Sequence, residues 1–370
     1  MLDFHKDDAK LLFLGDLLYD HDRVLPDISA LGKHFQQSGY FTVLNLEAPL
    51  RSGTPINKWI NLYQTEHIIE ILKLLNVVAV NIANNHILDW GEKGLRRLLR
   101  ELDAHGILHF GAGMTLAESL SPVIVRVNDK RFGFLGYGWY EEMCVYATAS
   151  QAGVAPLKKK IIEYSLRQLK ETVDFVVINL HWGYEYELYP LPIHRRLAQD
   201  LVNAGADIVI GHHPHVIQAY EVYQRKHIYY SLGDFYFGSL RNRFESIVED
   251  EDVKNLSRYG LGIVLDASTE HIHRIFFKIE QSQTNLSSAE FELKELSNVS
   301  LHTYDNNYPS WRTSSRKPTL YCGPLHELLL NPLKLSLSHF KDWVHRLVRP
   351  GLEKLGVYST LKKTFRAITR

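Results

Sequence analysis

Five short apolar runs in this chain stop on residues that can bind metals. Leu11-Leu12-Phe13-Leu14 runs into Gly15-Asp16, and Val43-Leu44 into Asn45-Leu46-Glu47. Residues 77–82 lead to Ala83-Asn84-Asn85-His86, 176–180 to His181-Trp182-Gly183, and 207–210 to Gly211-His212-His213-Pro214-His215. Helix-length amphipathic segments alternate with the apolar runs, which predicts an α/β fold. In such sheets the carboxyl ends of strands share an edge where loops build the site. Five ends of this kind would bring Asp, Glu, Asn and His side chains together. Mixed oxygen and imidazole donors suit Zn, Mn or Fe better than Ca or Mg.

Each signal has a plainer reading when taken alone. Gly15-Asp16 after a strand is an ordinary turn, and Glu47 before Ala48-Pro49 is an ordinary loop residue. His181 alone reads equally well as a satisfied core histidine. Asp89, just before Trp90-Gly91, reads as the cap of the following helix rather than as a ligand. Asn84-Asn85-His86, and three histidines within four positions after Gly211, are harder to explain by structure alone.

Strands are predicted at 10–14, 41–46, 77–82, 107–110, 123–127, 131–137, 175–180 and 208–210. Further strands are expected at 216–223, 227–230, 262–266 and 273–279, and helices at 26–37, 65–75, 91–105, 157–172 and 192–203. The later strands follow one another without helices between them. Two packed mixed sheets flanked by helices therefore fit better than one doubly wound parallel sheet. Residues 8–281 form the expected main domain, 282–330 an irregular linker or surface loops, and 331–370 a basic helical tail.

Charge is informative only in its distribution. Lys+Arg and Asp+Glu both total 42. Residues 331–370 carry nine Lys or Arg against two Asp or Glu, a net +7 that leaves −7 on the remainder. An acidic body without interleaved basic and aromatic residues argues against a nucleic-acid partner. The basic tail, with Trp343, Leu347, Leu355, Leu361, Phe365 and Ile368, suits an anionic membrane surface or a membrane-bound partner, although a helix packed across the domain fits it equally. Two distant cysteines, Cys144 and Cys322, form neither a disulfide framework nor a metal-spaced pair. No signal-peptide pattern opens the sequence, and no apolar run reaches the roughly 20 residues of a spanning helix. The expectation is a cytoplasmic protein, with peripheral membrane attachment through the tail left open.

The same residues resemble the CapA family of poly-γ-glutamate capsule-biosynthesis proteins, a branch of the calcineurin-like metallophosphoesterases. The resemblance rests on Phe13-Leu14-Gly15-Asp16, Asn45-Leu46-Glu47-Ala48-Pro49-Leu50 and the run from Ala83-Asn84-Asn85-His86 to Asp89-Trp90-Gly91. It continues through Gly111-Ala112-Gly113, His181-Trp182-Gly183-Tyr184-Glu185-Tyr186, Gly211-His212-His213-Pro214-His215-Val216 and Tyr230-Ser231-Leu232-Gly233. It implies a four-layer α/β/β/α sandwich holding two divalent metal ions (Mn, Zn or Fe). Asp16 resembles the first carboxylate ligand, Glu47 the bridging carboxylate and Asn85 the amide ligand. His181, His213 and His215 resemble the imidazole ligands, with His212 the alternative to His213 that the family's His-x-His spacing disfavours, and His86 resembles the histidine that protonates a leaving group.

Asn84, Glu185, His212 and Asp234 are candidates for substrate contact, with Glu185 alternatively orienting His181 or forming a loop salt bridge. The family's usual first-strand Asp-x-His is missing, and Asp20 or His21 is the candidate replacement. Asp234 stands where the family usually has Asn, and His194 where it commonly has Gln. Two functions follow from the resemblance. One is metal-dependent hydrolysis of a phosphoester or a γ-glutamyl-type amide. The other is a non-catalytic factor that binds an anionic polymer or helps to assemble its synthase.

Overall fold

The computed structural model describes residues 2–4, 9–20, 28–58, 60–238, 251–280, 283–287 and 293–314. The tail expected at 331–370, with Cys322 and His21, lies outside the described residues.

The first half of the chain runs β1 (Leu2–Phe4), β2 (Lys10–Leu18), α1 (Ser29–Gln37), β3 (Tyr40–Leu46), α2 (Ile68–Leu74), β4 (Val77–Asn81), α3 (Gly91–Ala104) and β5 (Leu108–Phe110). Then come β6 (Ala112–Gly113), α4 (Leu116–Ser119), β7 (Val123–Val127), β8 (Lys130–Gly138), β9 (Gly153–Val154), α5 (Lys159–Lys170), β10 (Phe175–His181) and α6 (Pro192–Asn203). The remainder comprises β11 (Ile208–His212), β12 (Tyr220–Tyr223), β13 (Lys226–Tyr229), β14 (Asp234–Phe237), α7 (Glu251–Leu256), β15 (Tyr259–Asp266), β16 (Ile272–Glu280), β17 (Gln283–Ser287) and α8 (Leu301–Ser314).

Two mixed sheets result. One has the order β17-β16-β15-β2-β3-β4-β5, with β14 also paired to β2; the other runs β1-β7-β8-β10-β11-β13-β12. Side-chain alternation on the strands sorts the apolar residues into three layers. Leu11, Phe13 and Val43 of the first sheet meet Phe134, Val177, Ile208 and Ile210 of the second in the central layer. The alternate residues Leu12, Leu14 and Leu44 point outward to Phe35 of α1, Leu72 of α2 and Leu98 of α3. Val176, Ile178 and Val209 likewise meet Ile162 and Leu166 of α5 and Leu201 of α6. The protein is therefore an α/β/β/α sandwich.

The helices follow from their spacing. Leu95, Leu98 and Leu102 of α3 recur at the three- and four-residue intervals of one helical face, and all three are fully buried. Each buried leucine stabilises the layer by about 1.5–3 kcal/mol. Pro192 opens α6 at a position where its missing N–H costs no hydrogen bond.

Two expectations require correction. Residues 282–330 are not wholly irregular: β17 extends the first sheet by pairing with β16, and α8 packs Tyr304 and Tyr308 into the outer core with α6. That helix contains Pro309 and a polar sequence, so its pattern hides it from view. The strand expected at 216–223 begins only at Tyr220, because the preceding loop takes left-handed backbone at His213 and His215. Among the described residues, no helix is long and apolar enough to cross a membrane.

Candidate metal centre

Two glycines shape the floor of the site. A Cβ on Gly15 would lie 1.8 Å from the Gly233 carbonyl oxygen, and one on Gly211 would lie 1.8 Å from that of Tyr230. Only glycine allows backbones to approach so closely. The register of β2 against β3 shifts between Leu14 and Asp16, and the Asp16 amide then donates to Gly233 O at 3.1 Å. The Leu232 amide reaches Gly211 O at 3.3 Å. Each glycine thus lets its strand pass close against the chain segment that carries Asp234.

Beyond β11 the backbone turns sharply, with φ of +97° at His213 and +57° at His215 on either side of Pro214. Non-glycine residues in this region cost about 1–3 kcal/mol each, so the surrounding contacts must hold them there. One such contact is the His213 amide donating to Asp16 Oδ2 at 3.0 Å.

The five strand ends converge. Ligand-capable atoms of Asp16, Glu47 and His181 lie within 4.8 Å of one another, as do those of Asp16, His215 and Asp234, and those of Glu185, His213 and His215. Asp16 joins the first two groups. Asn45 ties the carboxylates together, donating through Nδ2 to Asp16 Oδ1 at 2.8 Å and Glu47 Oε2 at 2.7 Å. Asn81 in turn donates to Asn45 Oδ1 at 2.9 Å. His181 Nε2 is 3.0 Å from Asn85 Oδ1 and 3.8 Å from Glu47 Oε1.

Electrostatics show how unusual this cluster is for a bare protein. Burial and the Asp16 charge push the Glu47 carboxyl well above its ordinary range. Burial would raise Asp16 too, but His212, His215 and the His213 amide outweigh it and hold the group below its usual value. Burial and neighbouring histidines drive His181 far down, and burial takes His213 to about 4. Burial would also lower His215, yet Asp234 at 2.8 Å and Asp16 raise it to about 10.

The fit to a cation is tested by the atoms left over. Among the described residues, Glu47 Oε1, His181 Nδ1, His212 Nδ1 and His213 Nδ1 are buried with no hydrogen-bond partner. An unsatisfied buried polar atom costs about 1–3 kcal/mol, so four on neighbouring residues call for a ligand. Carboxylate oxygen, amide oxygen and imidazole together suit a divalent transition metal, and the residues present fit one.

The remaining predicted residues divide. His86 is buried beside this cluster, with Nδ1 2.6 Å from Asp89 Oδ2. Glu185 falls with His213 and His215. Asp234 engages His215 Nδ1. Asn84 does not present its amide to a substrate: Oδ1 accepts from the amides of Ala48 and His86, and Nδ2 donates to Leu46 O. His212 is buried, with Nδ1 3.2 Å from Asp16 Oδ1 and Nε2 3.2 Å from Asn179 Oδ1. Asp20 joins none of the ligand-capable groups among the described residues.

Asp89 does not cap α3, whose N-cap is Trp90 without a side-chain bond. Its carboxylate instead holds His86, Lys58 Nζ at 2.8 Å and the Leu62 amide at 2.8 Å. Lys58, Asn81 and Glu142 are site residues absent from the sequence expectations, whereas Asn45 belongs to the run that leads to Glu47 and holds both carboxylates. Lys58 and Glu142 sit on loops with no local signature.

Comparison with known proteins agrees with the strand-end motifs. Residues 6–239 match the family described as bacterial capsule synthesis protein PGA_cap, and the chain belongs to it. The capsule biosynthesis protein CapA of Bacillus anthracis is 30% identical over 265 residues, covering 66% of this chain and 64% of that protein. The PGA biosynthesis protein CapA of Bacillus subtilis is 34% identical over 217 residues, covering 57% of each. The chain thus spans less than two thirds of the length of either relative. Among solved structures, a novel phosphatase from Mycoplasma pneumoniae superposes with a TM-score of 0.44 at 12% identity, covering 74% of this chain and 95% of that one. A 5′-nucleotidase precursor from Thermus thermophilus gives 0.41 at 14%, covering 75% and 54%. Scores this low add nothing to the functional argument.

Proposed function

We propose that this chain is a metal-dependent hydrolase holding two divalent ions, Mn, Zn or Fe, and acting on a phosphoester or a γ-glutamyl-type amide. The observation that carries it is the set of unpartnered buried donors on Glu47, His181 and His213 beside the Asp16 carboxylate. One ion would be held by Asp16, His215 and Asp234, the other by Asn85, His181 and His213, with Glu47 between them. Bound metal supplies Lewis-acid polarisation and a water whose pKa falls towards about 7.

The chain's own residues manage the proton. His86 is drawn down to about 4 by burial and by Lys58, so it is neutral at pH 7. With Nδ1 on Asp89, its Nε2 is the nitrogen that exchanges a proton with a reacting group. Asp89 stabilises the imidazolium when Nε2 takes a proton, and Lys58 favours its release to a departing oxygen or nitrogen.

Metal analysis of the wild type beside His213→Ala and Glu47→Ala is the direct test. Two ions in the wild type, with fewer in both variants, support the reading; equal content in all three sinks it. Loaded protein that turns over neither phosphoesters nor γ-glutamyl amides would leave a binding role.

That second reading is favoured by the +7 charge of residues 331–370. A non-catalytic factor would use the tail to reach a membrane surface or a synthase, and its body to hold an anionic polymer. Deleting 331–370 should then abolish vesicle or partner recovery while leaving metal content unchanged.

A further inference from the structure

We infer that Glu142 is a positioning residue that fixes the His213 ring and commits Nδ1, rather than Nε2, to the metal. Glu142 ends the short 3-10 turn Tyr140–Glu142, on a loop between β8 and β9. Its Oε2 lies 3.2 Å from His213 Nε2, across 71 positions of sequence. Nδ1 of the same ring is buried and, among the described residues, has no hydrogen-bond partner. A carboxylate that accepts the proton of one ring nitrogen leaves the lone pair on the other, fixing tautomer and orientation together. His213 has particular need of this support, because it stands on left-handed backbone with φ of +97°.

The loop is anchored where such a role requires. Trp139 donates its amide to the carbonyl of His181 at 3.0 Å, and its ring packs on His194 at 4.5 Å and Tyr184 at 5.6 Å. The turn itself is closed by the Met143 amide on Tyr140 O at 2.9 Å, with Met143 at φ +62°. The carboxylate therefore comes from a segment tied to the main chain of another ligand-bearing strand, and the position of Glu142 follows that of His181.

This inference rests on the metal-binding reading above, and the test separates their failures. Full-length wild type, Glu142→Ala, Glu142→Gln, His213→Ala and the double Ala variant are titrated with Mn²⁺ by calorimetry, and the Co²⁺-loaded proteins are compared by visible absorption. Glu142→Ala should weaken Mn²⁺ binding by about 10–100-fold and alter the Co²⁺ spectrum. Glu142→Gln should recover most of the affinity, since its amide oxygen still accepts from Nε2–H. The double variant should bind no more weakly than His213→Ala. Wild type without Mn²⁺ binding would overturn the metal reading and this inference with it. Wild type that binds, with Glu142→Ala within twofold of it or the double variant losing the product of the two single losses, would overturn the role of Glu142 alone. Should Glu142→Ala not fold, Glu142→Asp withdraws the oxygen by one methylene and should show an intermediate loss; affinity equal to wild type would overturn the role.

Discussion

His86 Nδ1 lies 2.6 Å from Asp89 Oδ2, and Lys58 Nζ sits 2.8 Å from the other oxygen of the same carboxylate. One acid thus holds a histidine and a lysine at once, and the Lys58 ammonium also reaches the Asn85 carbonyl at 3.0 Å. Replacing Asp89 by Asn should keep the ring in place but remove the counter-charge for its imidazolium. Turnover on any substrate found should fall by about 10²-fold or more, with metal stoichiometry unchanged by elemental analysis. Unaltered turnover would show that His86 carries no proton in the reaction.

Metal removal should also cost stability. A ligand bound only by the folded state, at a concentration one hundred times its dissociation constant, adds about 2.7 kcal/mol. Chelator treatment should accordingly lower the melting temperature, and added Mn²⁺ or Zn²⁺ should restore it. The same addition should leave Glu47→Ala nearly unmoved.

The buried pair Arg195–Glu221 predicts a different loss. Arg195 reaches both Glu221 oxygens at 2.9 Å, donates to Leu296 O at 2.9 Å and Ser300 O at 3.3 Å, and also bonds Val299 O. It thereby holds the segment leading into α8. Arg195→Met should leave the Glu221 charge uncompensated and cost about 3–5 kcal/mol in chemical denaturation. Limited proteolysis should then cut first around residues 296–314. A loss below about 1 kcal/mol would mean that the remaining contacts of α8 suffice.

His194 should make stability depend on pH. Its ring stacks on Trp182 at 4.6 Å, and burial and then His213 lower its pKa from 6.5 to about 3. Between those values the unfolded chain binds more protons than the folded one. The contribution is therefore complete above about pH 6.5 and is lost as pH falls towards 3, at up to about 1.4 kcal/mol per pH unit. His194→Gln should flatten that slope in denaturant midpoints measured from pH 7 to 4. An unchanged slope would mean that other groups govern acid unfolding.

Close backbone approach gives the sharpest steric prediction. Gly15→Ala would place a methyl against the Gly233 carbonyl, where β2 and the segment before β14 have no room to part. A loss of about 1–3 kcal/mol or more is expected by thermal melting, together with weakened metal binding because Asp16 is the next residue.

Much of this architecture was already written in the order of residues. The apolar runs Leu11–Leu14 and Val176–Leu180 pointed to strands with two buried faces, and polar residues at their carboxyl ends to where the site would form. Those signals are local, so they are legible from neighbours within one strand or one helical turn. Lys58 on His86, Glu142 on His213 and Arg195 on the carbonyls before α8 are pairings across 28, 71 and about one hundred positions. No periodicity encodes them. Asp89 illustrates the difference most clearly: its sequence neighbours favour a helix cap, but its actual partners are Lys58, the Leu62 amide and His86. Sequence determined which residues can be ligands, because side-chain chemistry and strand ends are local properties. Tertiary structure decided which atoms of those residues are free to bind, because many of the competing hydrogen bonds come from distant parts of the chain.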